Sequence, residues 1–184
     1  MKKTIIGSLV GGFILFFWQF LSWTMLDLHR PAQDYTPAQD SIMAVLNTQL
    51  AKEGGYILPN APKGTSFEEM EKLSAKSIGK PWASIQYHNA MEYNMGLNMA
   101  RGLAVNILLA WMVCWIVGKF PVNDFRTTLF TSLIIGVIVY LNGAYTNHIW
   151  YHLFDIRANL IDAVAMWGLT GIWLGWWLNR KSNQ

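Results

Sequence analysis

Apolar positions along this chain gather into four long runs. The first, Thr4 to Leu26, carries no charge. The second, Gly102 to Gly118, is uncharged and extends back past Arg101 to about Tyr93. The third runs from Thr127 to Phe154 and the fourth from Ala163 to Asn179. A helix needs roughly 20 residues to cross the hydrocarbon, with about 17 as a lower bound. The first and third runs exceed this. The second and fourth meet it narrowly, with their polar outer turns in the interface. The pattern therefore predicts an all-α membrane protein with four transmembrane helices. The first apolar run is longer than the roughly 7–15 residues of a signal h-region. It ends in FLSWTM, with no small-x-small cleavage site, so a retained helix is expected.

Between the first two runs the periodicity changes. Thr36-Pro37-Ala38-Gln39 has the form of a capping box with proline at the first helical position. Ile42, Val45, Leu46 and Leu50 follow at helical spacing. Gly54-Gly55 ends that helix, and Tyr56 to Pro59 is a short extended piece. Ser66-Phe67-Glu68-Glu69 repeats the capping-box pattern, with Phe67, Met70 and Leu73 on one face. Gly79-Lys80-Pro81 breaks it, and Trp82 to Tyr87 alternates as a strand does. The segment reads as a small α+β insert. The expected organisation is residues 1–28 as helix 1, 29–92 as the insert, and 93–184 as helices 2 to 4. An insert of this size holds only a marginal core by itself.

Charge orients the picture. Lys2, Lys3, Lys119, Arg126, Arg180 and Lys181 flank the helices on one side and face only Asp124. Cytoplasmic flanks are enriched in cations, so both termini are expected in the cytoplasm and the insert outside it. Only 14% of the 184 residues are charged and 53% are hydrophobic, which is low in charge for a soluble domain. No basic cluster interleaved with aromatics is present, so nucleic-acid binding is not supported. The one cysteine, Cys114, excludes an intrachain disulfide and reads as a small buried apolar residue.

Candidate chemistry is sparse. In HNAMEYNMGLNMARG, Met91, Met95 and Met99 recur every fourth residue after His88. Thioether and imidazole suit Cu(I). The competing reading is a helix entering the bilayer, with Gly96, Ala100 and Ala104 as a close-packing row, and it is preferred. His148 and His152 are i, i+4, with Asp155 beyond, a set able to hold zinc or a similar ion. Against that, Trp150 and Tyr151 mark an outer interface where imidazoles also accumulate. His29 and His88 fall on the same outer side. All four histidines thus suggest an outer-face pocket for a metal ion, haem or a lipid headgroup, drawing on His29, His88, His148, His152 and Asp155. Arg101 and Asp162 sit near helix ends, and an interhelical pair between them is expected because unpaired charges in a membrane are costly. Gln19 and Ser22 lie together on helix 1. Gly168, Gly171 and Gly175 give helix 4 a second close-packing row. No charge lies at the centre of any helix, which weighs against an active transporter, and no nucleotide or hydrolase motif is present.

WQFLSWTMLDLH, EGGYILP and SIQYHNAMEYNMG give the chain a resemblance to uncharacterised bacterial four-helix inner-membrane proteins. The resemblance implies a bacterial cytoplasmic (inner) membrane setting and transfers no activity. The leading expectation is a non-enzymatic accessory or scaffold subunit of a larger membrane assembly. Its partners are the lipid bilayer and either other membrane subunits or further copies of itself. An outer-face binding protein comes second. An enzyme acting on a lipid-borne substrate, with Arg101 and the histidines holding an anionic headgroup, comes third.

Overall fold

The computed structural model describes residues 2–180; Lys181, one of the flanking cations, lies outside the described residues. The chain is mostly helical and divides into two compact units, residues 2–34 with 94–180, and residues 35–93.

In the first unit, α1 (Lys2–Phe20) continues into a π-helical turn, Leu21–Met25. The long helix α4 (Met95–Val117) follows the second unit in sequence. Helix α5 (Phe125–Tyr140) runs through a second π-helical turn, Leu141–Tyr145, into the short α6 (Thr146–Trp150). Helix α7 (Ile156–Asn179) completes the unit. Three stretches are long and apolar enough to cross a membrane: Lys2–Met25, Met95–Val117 and Phe125–Trp150. Helix α7 has 24 residues and is not among them. Arg157, Asn159 and Asp162 in its first turns and four tryptophans further on lower its hydropathy.

Helix α1 packs against both α4 and α7, and α7 packs against α5. The reason is the distribution of small residues. A Cβ on Gly12 would sit 2.4 Å from the Ile107 Cα, so α1 and α4 meet backbone to backbone there. A Cβ on Gly136 would sit 2.7 Å from the Ala163 carbonyl oxygen, so α5 and α7 do the same. Close approach through small residues is how helices gain dispersion contact where lipid offers no hydrophobic drive. Leu15, Ala110, Val113, Cys114, Val117, Trp167 and Leu174 close the core. Where the start of α1 meets the end of α7, the Trp177 Nε1–H donates to the Lys3 carbonyl at 2.7 Å and the Lys3 ammonium donates to the Arg180 carbonyl at 2.6 Å.

The second unit holds α2 (Gln39–Gln49), β1 (Gly54–Leu58), α3 (Phe67–Ser77) and β2 (Ala83–Tyr87). The strands pair antiparallel, from Gly54 opposite Tyr87 to Leu58 opposite Ala83. The Ser66–Glu69 capping box forms in both directions. The Thr36–Gln39 box does not: α2 starts at Gln39, and the Thr36 hydroxyl accepts from the Ala38 N–H instead. Tyr87 is the one buried large side chain here, and its hydroxyl donates to Asn47 at 2.8 Å.

Candidate functional site

The chain after α1 turns back on itself. The π-helical turn closes with the Leu26 N–H donating to the Leu21 carbonyl at 2.8 Å, and Asp27 then takes a left-handed conformation, φ 48°. Aspartate is among the few residues that tolerate this region. The reversal lays the His29 imidazole flat on the Trp23 indole, with ring centroids 3.9 Å apart and planes 6° from parallel. It also aims both ring nitrogens at the start of α7. The Nδ1–H donates to Asp155 Oδ2 at 2.7 Å and the Nε2–H to Asp162 Oδ2 at 2.9 Å. Asp162 Oδ1 accepts two further bonds, from Trp18 Nε1–H at 2.9 Å and from the Ser22 hydroxyl at 2.6 Å. Leu15, Trp18 and Ser22 recur at helical spacing, so one face of α1 carries apolar packing below and the polar contacts above.

His29 is 2% exposed. Ionised carboxylates only accept, so both ring nitrogens must donate, which makes the ring an imidazolium. Burial alone disfavours that charge, and the bonds and attraction of Asp155 and Asp162 outweigh it. The His29 pKa is therefore raised above its ordinary 6.5. In this state neither nitrogen has a lone pair for a metal or for abstracting a proton. The arrangement is a pin that ties the end of helix α1 to the start of α7.

Beside the pin lies a cleft of about 280 Å3. Gln19, Trp23, His29 and Asp162 form one wall; Tyr140, Gly143 and Ala144, from α5 and its π-helical turn, face them; Trp167 is also part of its lining. Both π-helical turns border this space. Such turns are rare and frequent at functional sites. Gln19 is held by the Asn106 amide, which donates to its Oε1 at 3.0 Å.

The remaining expected site residues are distributed differently. His148 and His152 do come together, with ring centroids 4.3 Å apart, but His148 Nδ1 already accepts the Leu153 N–H at 3.0 Å. Asp155 does not join them; it bonds His29. Helix α6 ends at Trp150 and Tyr151 is extended (φ −134°, ψ 103°), so the helical spacing that would have brought Asp155 alongside His152 is broken. His88 belongs to the second unit, where it lines a separate cleft of about 740 Å3 with Met43, Glu53 and Met91. The methionine row is also broken, because α4 begins at Met95 and Met91 precedes it. Among the described residues no three His, Cys, Asp or Glu groups converge as a metal site.

The expected Arg101–Asp162 pair is not made. Asp162 is taken by Trp18, Ser22 and His29, while Arg101 is exposed and has no ion pair among the described residues. The reason is which helices touch: α7 presents Asp162 to α1, and α4 has its main contacts with α1 and not with α7. Trp18, Trp23, Tyr140 and Asn159 were not singled out from sequence. The Gln19–Ser22 pair on helix 1 was the signal nearest to them.

No protein-family model matches the chain, and no curated protein or solved structure matches it either.

Proposed function

We propose that this chain is a four-span, non-enzymatic integral membrane protein. It acts as an accessory or scaffold subunit of a larger assembly in a bacterial cytoplasmic membrane, with both ends cytoplasmic and the 35–93 unit outside. In this reading α7 is the fourth span. Its 24 residues exceed the crossing length, and its polar first turns occupy the outer interface. The cations near Lys2, Lys119 and Arg180 favour this orientation.

One observation carries the assembly role: the small-residue row Gly96, Ala100 and Ala104 on α4 is exposed along its whole length. A Cβ on Gly96 would meet nothing closer than 3.9 Å. Rows of this kind serve helix–helix contact within membranes, and among the described residues of its unit this one has no helix against it. Arg101 stands beside the row and is free to meet an anionic group on a partner. The His29 pin adds support, because both its ring nitrogens are taken up by carboxylates and neither is left to act as a catalytic base.

The test is the size of the complex extracted in mild detergent. The unaltered protein is expected in a complex larger than the monomer, and Gly96→Leu with Ala100→Leu is expected to release it as a folded monomer. A lone monomer from the unaltered protein, crosslinked or not, contradicts the proposal.

A further inference from the structure

The pin holds two carboxylates and one imidazolium, so it retains one uncompensated negative charge. Of the pin, His29 and Asp162 line the cleft beside it, and no lysine or arginine does; Arg157 on the same helix is exposed and unpaired among the described residues. A buried charge without a partner is costly, and a cation entering the cleft would relieve it. The lining is also aromatic. Trp23 and Tyr140 are part of it, and an organic cation is attracted to aromatic rings, the more so as it loses water. Asn159, which also lines the cleft, donates through its amide nitrogen to the Asp155 carbonyl at 3.0 Å and keeps its Oδ1 free to accept. The cleft holds donors as well. Gln19 uses its oxygen for Asn106 and keeps its amide hydrogens. A bare metal ion satisfies none of these donors, and the imidazole offers it no lone pair.

We propose that this cleft binds a small ammonium ion that also carries an oxygen acceptor, the chemistry of an amino alcohol. The ammonium lies against Asp162 and the aromatic faces and donates to Asn159. The oxygen accepts from the Gln19 amide. At about 280 Å3 the space suits a headgroup-sized ligand and not a large cofactor. The same group occurs free and as a lipid headgroup.

Isothermal titration calorimetry on the detergent-solubilised full chain tests this, with ethanolamine, ethylammonium and neutral propanol as probes. Saturable binding of ethanolamine is expected. Ethylammonium, which lacks the oxygen, should bind about five-fold more weakly or less well still, because it makes no hydrogen bond to the Gln19 amide, and propanol should give no signal. Ala144→Phe, which grows a ring from a lining position, should weaken ethanolamine binding by about ten-fold or more. Asp162→Asn should weaken it by a similar factor through loss of the charge. In nanodiscs, competition by phosphatidylethanolamine but not by phosphatidylglycerol assigns the lipid as source; lack of competition with ethanolamine still bound assigns the free amine. Absence of ethanolamine binding overturns the proposal. So does equal binding of propanol, or ethanolamine binding unchanged in Ala144→Phe. The probe series on the unaltered protein decides the matter even where a variant fails to fold.

Discussion

Helices α7 and α4 both carry rows of small residues, and the two rows have opposite fates. On α7, Gly168, Gly171 and Gly175 face α5. A Cβ on Gly171 would lie 2.9 Å from the Ser132 Cβ, and one on Gly175 would lie 2.9 Å from the Phe125 ring. That row is filled. On α4, Gly96, Ala100 and Ala104 face no other helix of their unit. Rows of small residues at helical spacing thus serve two purposes: one builds the bundle, and the other is left for a neighbour. Sequence shows the row but not whether it is occupied, because occupancy depends on which helices the topology brings together.

Filling the occupied seam should have the largest effect. Gly136→Leu places side-chain atoms where the Ala163 carbonyl and the Trp167 ring already are. It is expected to cost about 3 kcal/mol or more, an overpacking penalty at the upper end because backbone stands in the way. Thermal or denaturant unfolding in detergent measures it. A loss under about 0.5 kcal/mol, typical of a surface site, would mean that α5 and α7 do not meet at this glycine.

The pin above that seam comes next. An asparagine at 162 leaves the buried His29 with one carboxylate, and its single amide oxygen cannot serve His29 as well as Trp18 and Ser22. Asp162→Asn is expected to cost about 3–5 kcal/mol, in the range for breaking a buried pair. Arg101→Gln should be nearly neutral for folding, and the two changes should add within about 0.5 kcal/mol. Strong non-additivity would restore the pairing that the helix neighbours rule out.

The pH dependence follows from the direction of the His29 shift. Its pKa is higher folded than unfolded, so its stabilisation is fully present below about 6.5 and is lost as pH rises through the folded value. The melting temperature should therefore fall as pH is raised from 6 toward 9, and His29→Gln should flatten that slope. A melting temperature that rises with pH over this window, with the slope unchanged in His29→Gln, would show that the imidazolium is not held.

The smallest effect on folding belongs to the open row. Gly96→Leu is expected to change monomer stability by less than about 0.5 kcal/mol while reducing association, since its Cβ enters empty space. Destabilisation comparable to that of Gly136→Leu would erase the contrast between the rows.

Local chemistry was legible where it was local. The Ser66–Glu69 box, the strand ending at Tyr87 and three of the four long apolar helices follow from spacing alone, while Gly54 and Gly55, read as the end of α2, open β1 instead. What failed crossed a break or a helix interface. Tyr151 interrupts the helix, so Asp155 leaves the histidines that precede it and meets His29, far earlier in the chain. Asp162 and Arg101 each need a partner by the same rule, yet only the packing of α7 on α1 decides that Asp162 receives His29. The reversal at Asp27 that carries His29 back onto Trp23 depends on a single left-handed residue and leaves no periodic trace.

A photo-crosslinking side chain at position 100, with position 130 as the reference, tests most directly whether the open row is an assembly face. Phe130 is 61% exposed on α5, away from any small-residue row. In native membranes, position 100 should yield a discrete protein adduct heavier than the monomer, and position 130 should yield lipid adducts. Lipid adducts alone at both positions would contradict the account.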